Sequence, residues 1–129
     1  MNENQKIILE IRAGTGGDEA GLFAFELWRM YRRFAERRGF KTEVIDSSKS
    51  NVGGIKTLVT QVEGPDVYDL FKYESGVHRV QRIPKTEKSG RVHTSTVSVA
   101  ILKEVPEKEV TIVPKDIKID TFRSSGPGG

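Results

Sequence analysis

The sequence predicts an α+β domain: a mostly antiparallel sheet with one long amphipathic helix packed on a face. Three observations predict it. Ile7, Leu9 and Ile11, then Leu58, Thr60 and Val62, then Val97, Val99 and Ile101 alternate with neighbours of the opposite face, the period of half-buried strands. Residues 18–38 instead carry apolar side chains at spacings of three and four. Residues 78–95 read as strand, turn, strand, with Pro84 and Gly90 bracketing the tip.

Taken in order, residues 6–12 form the first strand, and Ala13-Gly-Thr-Gly-Gly17 breaks it. Glycines allow such a loop to approach a ligand closely, because they lack Cβ. The helix follows over residues 18–38, with Ala20, Phe23, Leu27, Tyr31 and Phe34 on the core face. Glu26, Arg29, Arg33, Glu36 and Arg37 fall on the other face. Thr15 or Asp18 is expected to cap its start, Gly39 to end it, and Trp28 to pack into the core. Residues 40–45 predict a second strand with Phe40, Thr42 and Val44 aligned, residues 46–54 a polar loop, and residues 56–62 a third strand. Residues 65–73 predict a short helix with Pro65 in its first turn and Val67, Leu70 and Phe71 as its apolar stripe. The hairpin arms are residues 77–83 and 91–102. Residues 103–115 read as a charged, proline-containing connection with a short strand at 110–112. A further strand at 117–122 runs into a glycine-rich end.

The chain has 129 residues, which suits one domain, with 21 Lys and Arg against 18 Asp and Glu. No cysteine is present, so disulfides and thiolate metal sites are excluded, and His78 and His93 are too few for a histidine metal cluster. No apolar run approaches the roughly 20 residues of a membrane span, and the first residues lack a signal-peptide order. No metal, no cofactor and no membrane partner are expected, and a cytoplasmic or organellar-matrix setting is the default. The net charge of +3 is slight, but the cations gather at residues 29–38 and 79–91.

Enzyme chemistry finds little support. Residues 14–21 read Gly-Thr-Gly-Gly-Asp-Glu-Ala-Gly, which is neither a dinucleotide fingerprint nor a phosphate loop. Acids at the helix start complement the dipole themselves and repel phosphate. Asp18 and Glu19 are adjacent on a helix and diverge, so they do not form an acid–base pair. Nothing places His93 beside a serine and an orienting acid. The hairpin suits nucleic acid better. Arg79, Arg82, Lys85, Lys88 and Arg91 attract phosphate. Gln81, Thr86 and Thr94 can hydrogen-bond base edges, and His93 offers a flat ring. On these residues alone, RNA contact and a solvated face both stay open.

Four motifs occur in order: Arg12-Ala-Gly-Thr-Gly-Gly-Asp-Glu-Ala20, Tyr73-Glu-Ser-Gly-Val-His-Arg-Val-Gln-Arg82, Gly90-Arg-Val-His-Thr-Ser95 and Ile119-Asp-Thr-Phe-Arg-Ser-Ser-Gly-Pro-Gly-Gly129. Together they resemble the class I bacterial-type peptide chain release factors over essentially the whole chain. The resemblance implies stop-codon recognition during translation termination, with the hairpin as a decoding loop. Within that family a Pro-x-Thr tripeptide marks the type that reads UAA and UAG, and Pro84-Lys85-Thr86 matches it. The resemblance further implies that Gly16 and Glu19 at the helix tip contact the first-base uracil. It assigns the Thr86 hydroxyl to the first and second bases, and the His93 ring to a stack on the second that parts it from the third. Gln81 and Thr94 would read the third base. Arg79, Arg82, Lys88 and Arg91 are expected on the RNA backbone.

The expected partners are the small-subunit decoding centre of the ribosome and the mRNA stop codon, met by a monomer. By the resemblance, residues 1–116 are the first part of the decoding domain. Residues 117–129 open the peptidyl-tRNA hydrolysis domain, with Gly128 and Gly129 beginning its Gly-Gly-Gln motif. The glutamine lies beyond the chain, so the chain is expected to be a fragment without hydrolytic activity. Peptidyl-tRNA would be a partner only of the full-length protein. The alternative is a ribosome-rescue or RNA-binding module without codon discrimination.

Overall fold

β1 (Asn4–Ala13) is the strand around which the sheet is built. Its side chains alternate: Gln5, Ile7, Leu9 and Ile11 are buried, while Lys6 and Arg12 are exposed. The structure, a computed structural model, describes residues 3–50, 53–83 and 90–104. β1 is flanked on one side by β3 (Ile55–Pro65) and on the other by β5 (His93–Lys103). β2 (Lys41–Lys49) and β4 (Gly76–Arg82) form the edges, giving the order β2-β3-β1-β5-β4 with every pairing antiparallel. The α+β class and the antiparallel sheet are as the sequence predicts. The strands predicted at 110–112 and 117–122, the hairpin tip at 84–89 and the glycines at 128 and 129 lie outside the described residues.

Register explains the core. Ile7 sits opposite Val62, Leu9 opposite Thr60 and Ile101, and Ile11 opposite Leu58 and Val99. These side chains share one face, and all are at most 8% exposed. The helix α1 (Gly17–Arg37) lies over that face and buries Ala20, Ala24, Leu27, Trp28, Tyr31 and Ala35 against it. Each large buried aliphatic contributes about 1.5–3 kcal/mol relative to exposure. Thr60 is fully buried among them, and its hydroxyl donates to the Glu43 carbonyl (2.9 Å), which removes the cost of burying a polar group. Phe23 and Phe34, expected in the core stripe, are only half-buried against it.

Several boundaries differ from expectation. Residues 46–49 were expected in a polar loop, but β2 continues through them to Lys49. β2 is an edge strand exposed along most of its length, so it has no buried face to impose alternation, and the register slips between Val44 and Asp46. Val44 is accordingly 49% exposed, while Phe40 is buried just before the strand. Pro65 closes β3 instead of opening a helix. Asp66 turns the corner at φ 59°, and the short helix α2 (Val67–Phe71) follows, with Val67 and Phe71 buried and Leu70 exposed. Its Tyr68 N–H donates to Gln5 Oε1 (2.9 Å), so a side chain from β1 satisfies the helix start. The expected caps of α1, Thr15 and Asp18, do not act as such: Gly16 occupies the cap position with no side-chain bond. Gly39 does end α1, at φ 74°.

The run from Tyr73 to Arg82 builds the corner that launches β4. Glu74, in a 3₁₀ turn over Lys72–Glu74, accepts from the Tyr31 hydroxyl of α1 (2.8 Å). Burial, and then that carboxylate, push the Tyr31 phenol far above its usual value and hold it neutral. His78 Nε2 donates to the Glu74 carbonyl (2.7 Å), and Ser75 Oγ accepts from the Ile101 N–H (3.1 Å). Gly76 takes φ 136°, where side chains are strained.

Candidate nucleic-acid interface

The site is assembled where β1 passes into α1 beside the outer end of the β4–β5 ladder. After Ala13 the chain keeps bonding to β5. Gly14 N–H donates to the Thr96 carbonyl (2.8 Å), Thr96 N–H to the Thr15 carbonyl (2.9 Å), and Thr15 N–H to Thr96 Oγ1 (2.9 Å). Gly16 then turns into the helix against Ser95, at φ 121°. An added Cβ there would lie 2.7 Å from Ser95 Oγ and 3.1 Å from Ser95 Cα. The helix tip is therefore fixed to β5 one residue from Thr94.

The ladder itself divides the predicted residues between two faces. Gln81 stands opposite Thr94, and Arg82 opposite His93. Directly opposed residues share a face and successive ones alternate. Gln81 and Thr94 thus lie on one face, where Gln81 Nε2 donates to Thr94 Oγ1 (3.3 Å), and both are exposed. Arg82 and His93 lie on the face turned toward α1, with His93 exposed. Arg79 is exposed on the Gln81 face, and Arg91 is exposed just before β5. Pro84, Lys85, Thr86 and Lys88 fall outside the described residues. The structure therefore brings Gly16, Glu19, Gln81, Arg82, His93 and Thr94 to one end of the sheet.

Glu19 and Arg82 are placed differently from a simple surface contact. Glu19 is 5% exposed, and among the described residues neither carboxylate oxygen has a hydrogen-bond partner. Arg82 Nη2 approaches one of them at 3.8 Å. The guanidinium forks onto Glu26, with Nη1 to Oε1 at 3.0 Å and Nη2 to Oε2 at 3.3 Å. The Glu26 hydrogen bonds raise its pKa further above the already high arginine value. The sequence predicts Glu26 on the outer face and Arg82 on RNA; the structure pairs them across 56 positions. One signal was available: Glu19 and Glu26 are seven apart and so share a helix face. Ser95, which receives Gly16, had no local signal.

Beyond Glu26, Arg29, Arg33 and Arg37 line a shallow groove of about 330 Å³ with Met30. Among the described residues no group of three or more His, Cys, Asp or Glu side chains could hold a metal ion. Among them, too, no helix is long and apolar enough to cross a membrane.

This geometry can be set against known proteins. The PCRF domain family matches residues 1–99. Peptide chain release factor 1 of Acidobacterium capsulatum is 59% identical over 128 residues, covering 99% of this chain and 36% of the relative. That of Acetivibrio thermocellus is 57% identical with the same coverage. The chain thus spans about a third of the length of the curated relatives it matches. Among solved structures, RF2 of Thermus thermophilus is similar, with a TM-score of 0.79 and 42% identity, covering 87% of this chain and 32% of that one. With its family matched across most of its length, the chain belongs to the PCRF domain family.

Proposed function

We propose that this chain is the stop-codon-reading part of a peptide chain release factor, acting in translation termination and selecting UAA and UAG. The observation that carries the reading is the division of the ladder. Gln81 and Thr94 hydrogen-bond on one face, while His93 stands on the other, opposite Arg82, which reaches Glu19 of the helix tip. A base stacked on the His93 ring is then separated from a base held by Gln81 and Thr94. The names of the similar proteins, peptide chain release factor 1, support the same reading.

In this account the tip at Gly16 and Glu19 admits the first-base uracil by fixed backbone groups and leaves a purine no room. The Thr86 hydroxyl bonds the first and second bases, and His93 stacks on the second. Gln81 and Thr94 each donate or accept, so the third position takes A or G. A good base contact of this kind discriminates by about 1–3 kcal/mol, by analogy with groove readout. Arg79, Lys88 and Arg91 hold the RNA backbone. The partners are the ribosomal small-subunit decoding centre and the stop codon, met by a monomer in the cytoplasm or an organellar matrix. Residues 1–116 carry the decoding part. Residues 117–129 open the hydrolysis domain, with Gly128 and Gly129 its first two motif residues, and peptidyl-tRNA hydrolysis belongs to the whole release factor.

Thr86→Ala is expected to weaken binding to ribosomes carrying UAA in the A site by about tenfold, the worth of one base contact. Lys85→Ala should cost about threefold or less and flatten the salt dependence by about 0.7 in the log–log slope, because it removes a screened phosphate contact. Equilibrium binding across a salt series measures both. Equal losses for the two variants would leave the tip a purely electrostatic contact.

A further inference from the structure

Among the described residues β4 is an edge strand, bonded to β5 alone, and Arg82 is its last residue. The far end of that strand carries Gln81, one of the two groups proposed to read the third base. What ties this end to the helix is the Arg82 guanidinium, which grips Glu26 at two points and reaches 3.8 Å from Glu19. A forked arginine–carboxylate pair fixes orientation as well as distance. Among the described residues Glu19 is buried with no hydrogen-bond partner, and Arg82 is the one cation within ion-pair distance of it. Removing that cation would strand a buried charge, a costly arrangement. The fork onto Glu26 also occupies both terminal nitrogens of the guanidinium, which leaves it poorly placed to meet a phosphate.

We propose that Arg82 is a positioning residue and not a phosphate contact: it clamps the outer end of β4 onto Glu19 and Glu26 of α1. The clamp sets the distance between the Gly16–Glu19 tip and the Gln81–Thr94 pair. It explains why a basic residue inside a cationic hairpin turns toward the helix, with its side chain 33% exposed. Its bearing on codon choice rests on the reading under Proposed function, whereas the clamp itself is a property of the folded chain.

Two variants separate charge from grip. Arg82→Lys keeps the charge beside Glu19 but cannot fork; Arg82→Gln loses both. Backbone hydrogen exchange is measured on each chain, together with the ratio of affinities for ribosomes carrying UAA and a sense codon. Both variants should raise exchange at the Val80–Arg82 amides by about tenfold while leaving Leu9 and Val62 in the central strands unchanged. Both should cut the UAA-to-sense ratio by about tenfold with no change in salt slope. Only Arg82→Gln should also lower the melting temperature by several degrees. Unchanged exchange in both variants overturns the clamp. So does Arg82→Lys behaving like the unaltered chain while Arg82→Gln weakens stop and sense codons equally and flattens the salt slope, the signature of a phosphate contact. If the unaltered chain does not distinguish UAA from a sense codon, the functional reading fails, and the exchange data alone decide the clamp.

Discussion

Gly54→Ala is expected to destabilise the chain by about 3 kcal/mol or more, at the upper end of what overpacking costs. Gly54 is buried where the start of β3 meets α1. An added Cβ would fall onto the carbonyl carbon of Gly21 and lie 2.6 Å from its oxygen and 2.7 Å from Ser50 Oγ. The first two are backbone atoms of a helix that is packed along its length, so no side-chain rotation relieves the clash. The contrast with Gly21→Ala is instructive. There the nearest atoms are Ser50 Oγ at 2.6 Å and Ser50 Cβ at 3.0 Å, with the Ile55 carbonyl oxygen at 3.4 Å. The hydroxyl can turn aside and the Ser50 Cβ need give by only a few tenths of an ångström, so this change should cost about 1 kcal/mol, or roughly a third of the other. Urea denaturation of both variants measures the difference. Near-equal midpoints would show that α1 does not press on Gly54 as closely as the structure has it.

Gly16→Ala is expected to have the largest effect on the site. Two penalties coincide: φ is 121°, and the new Cβ would meet Ser95 at both its hydroxyl and its Cα. Strained backbone and overpacking together should cost about 2–4 kcal/mol of stability. Relief of the clash must come by moving the helix tip away from β5. Under the proposed function, that lowers affinity for a UAA-programmed ribosome by at least about tenfold, the loss of one base contact. Gly17→Ala is the control. Gly17 has φ 56° with nothing among the described residues within 4 Å of its Cβ position, so it should cost about 1 kcal/mol of stability for the left-handed backbone and leave codon affinity within about twofold. Parallel unfolding and binding measurements distinguish the two. Equal binding losses would mean that the tip's place against Ser95 is immaterial.

The fold was legible where one face of an element is buried. β1, β3 and β5 declare themselves because Ile7, Leu58 and Val97 begin alternations that continue into the core. β2 runs past its predicted end because Asp46, Ser47 and Ser48 have no buried side to reveal a period of two. Pro65 looks like a helix start in isolation; only its pairing with Asn4 makes it the end of a strand. The site divides in the same way. Gln81, His93 and Thr94 were singled out by chemistry and resemblance, and the structure gathers them at one end of the sheet. The partition of His93 from Thr94 follows from strand alternation alone, whereas the pairing of Gln81 with Thr94 and of Arg82 with His93 is set by the β4–β5 register, which the sequence does not state. Glu26 with Arg82, and Gly16 with Ser95, are pairs made by topology. No local pattern could have joined residues so far apart.

The most direct test of the central claim is equilibrium binding of the unaltered chain to bacterial ribosomes holding UAA, UAG, UGA or a sense codon in the A site. The account predicts that UAA and UAG bind within about threefold of each other and at least about tenfold more tightly than UGA or the sense codon. Equal affinity for all four codons, or no binding to any, would contradict it.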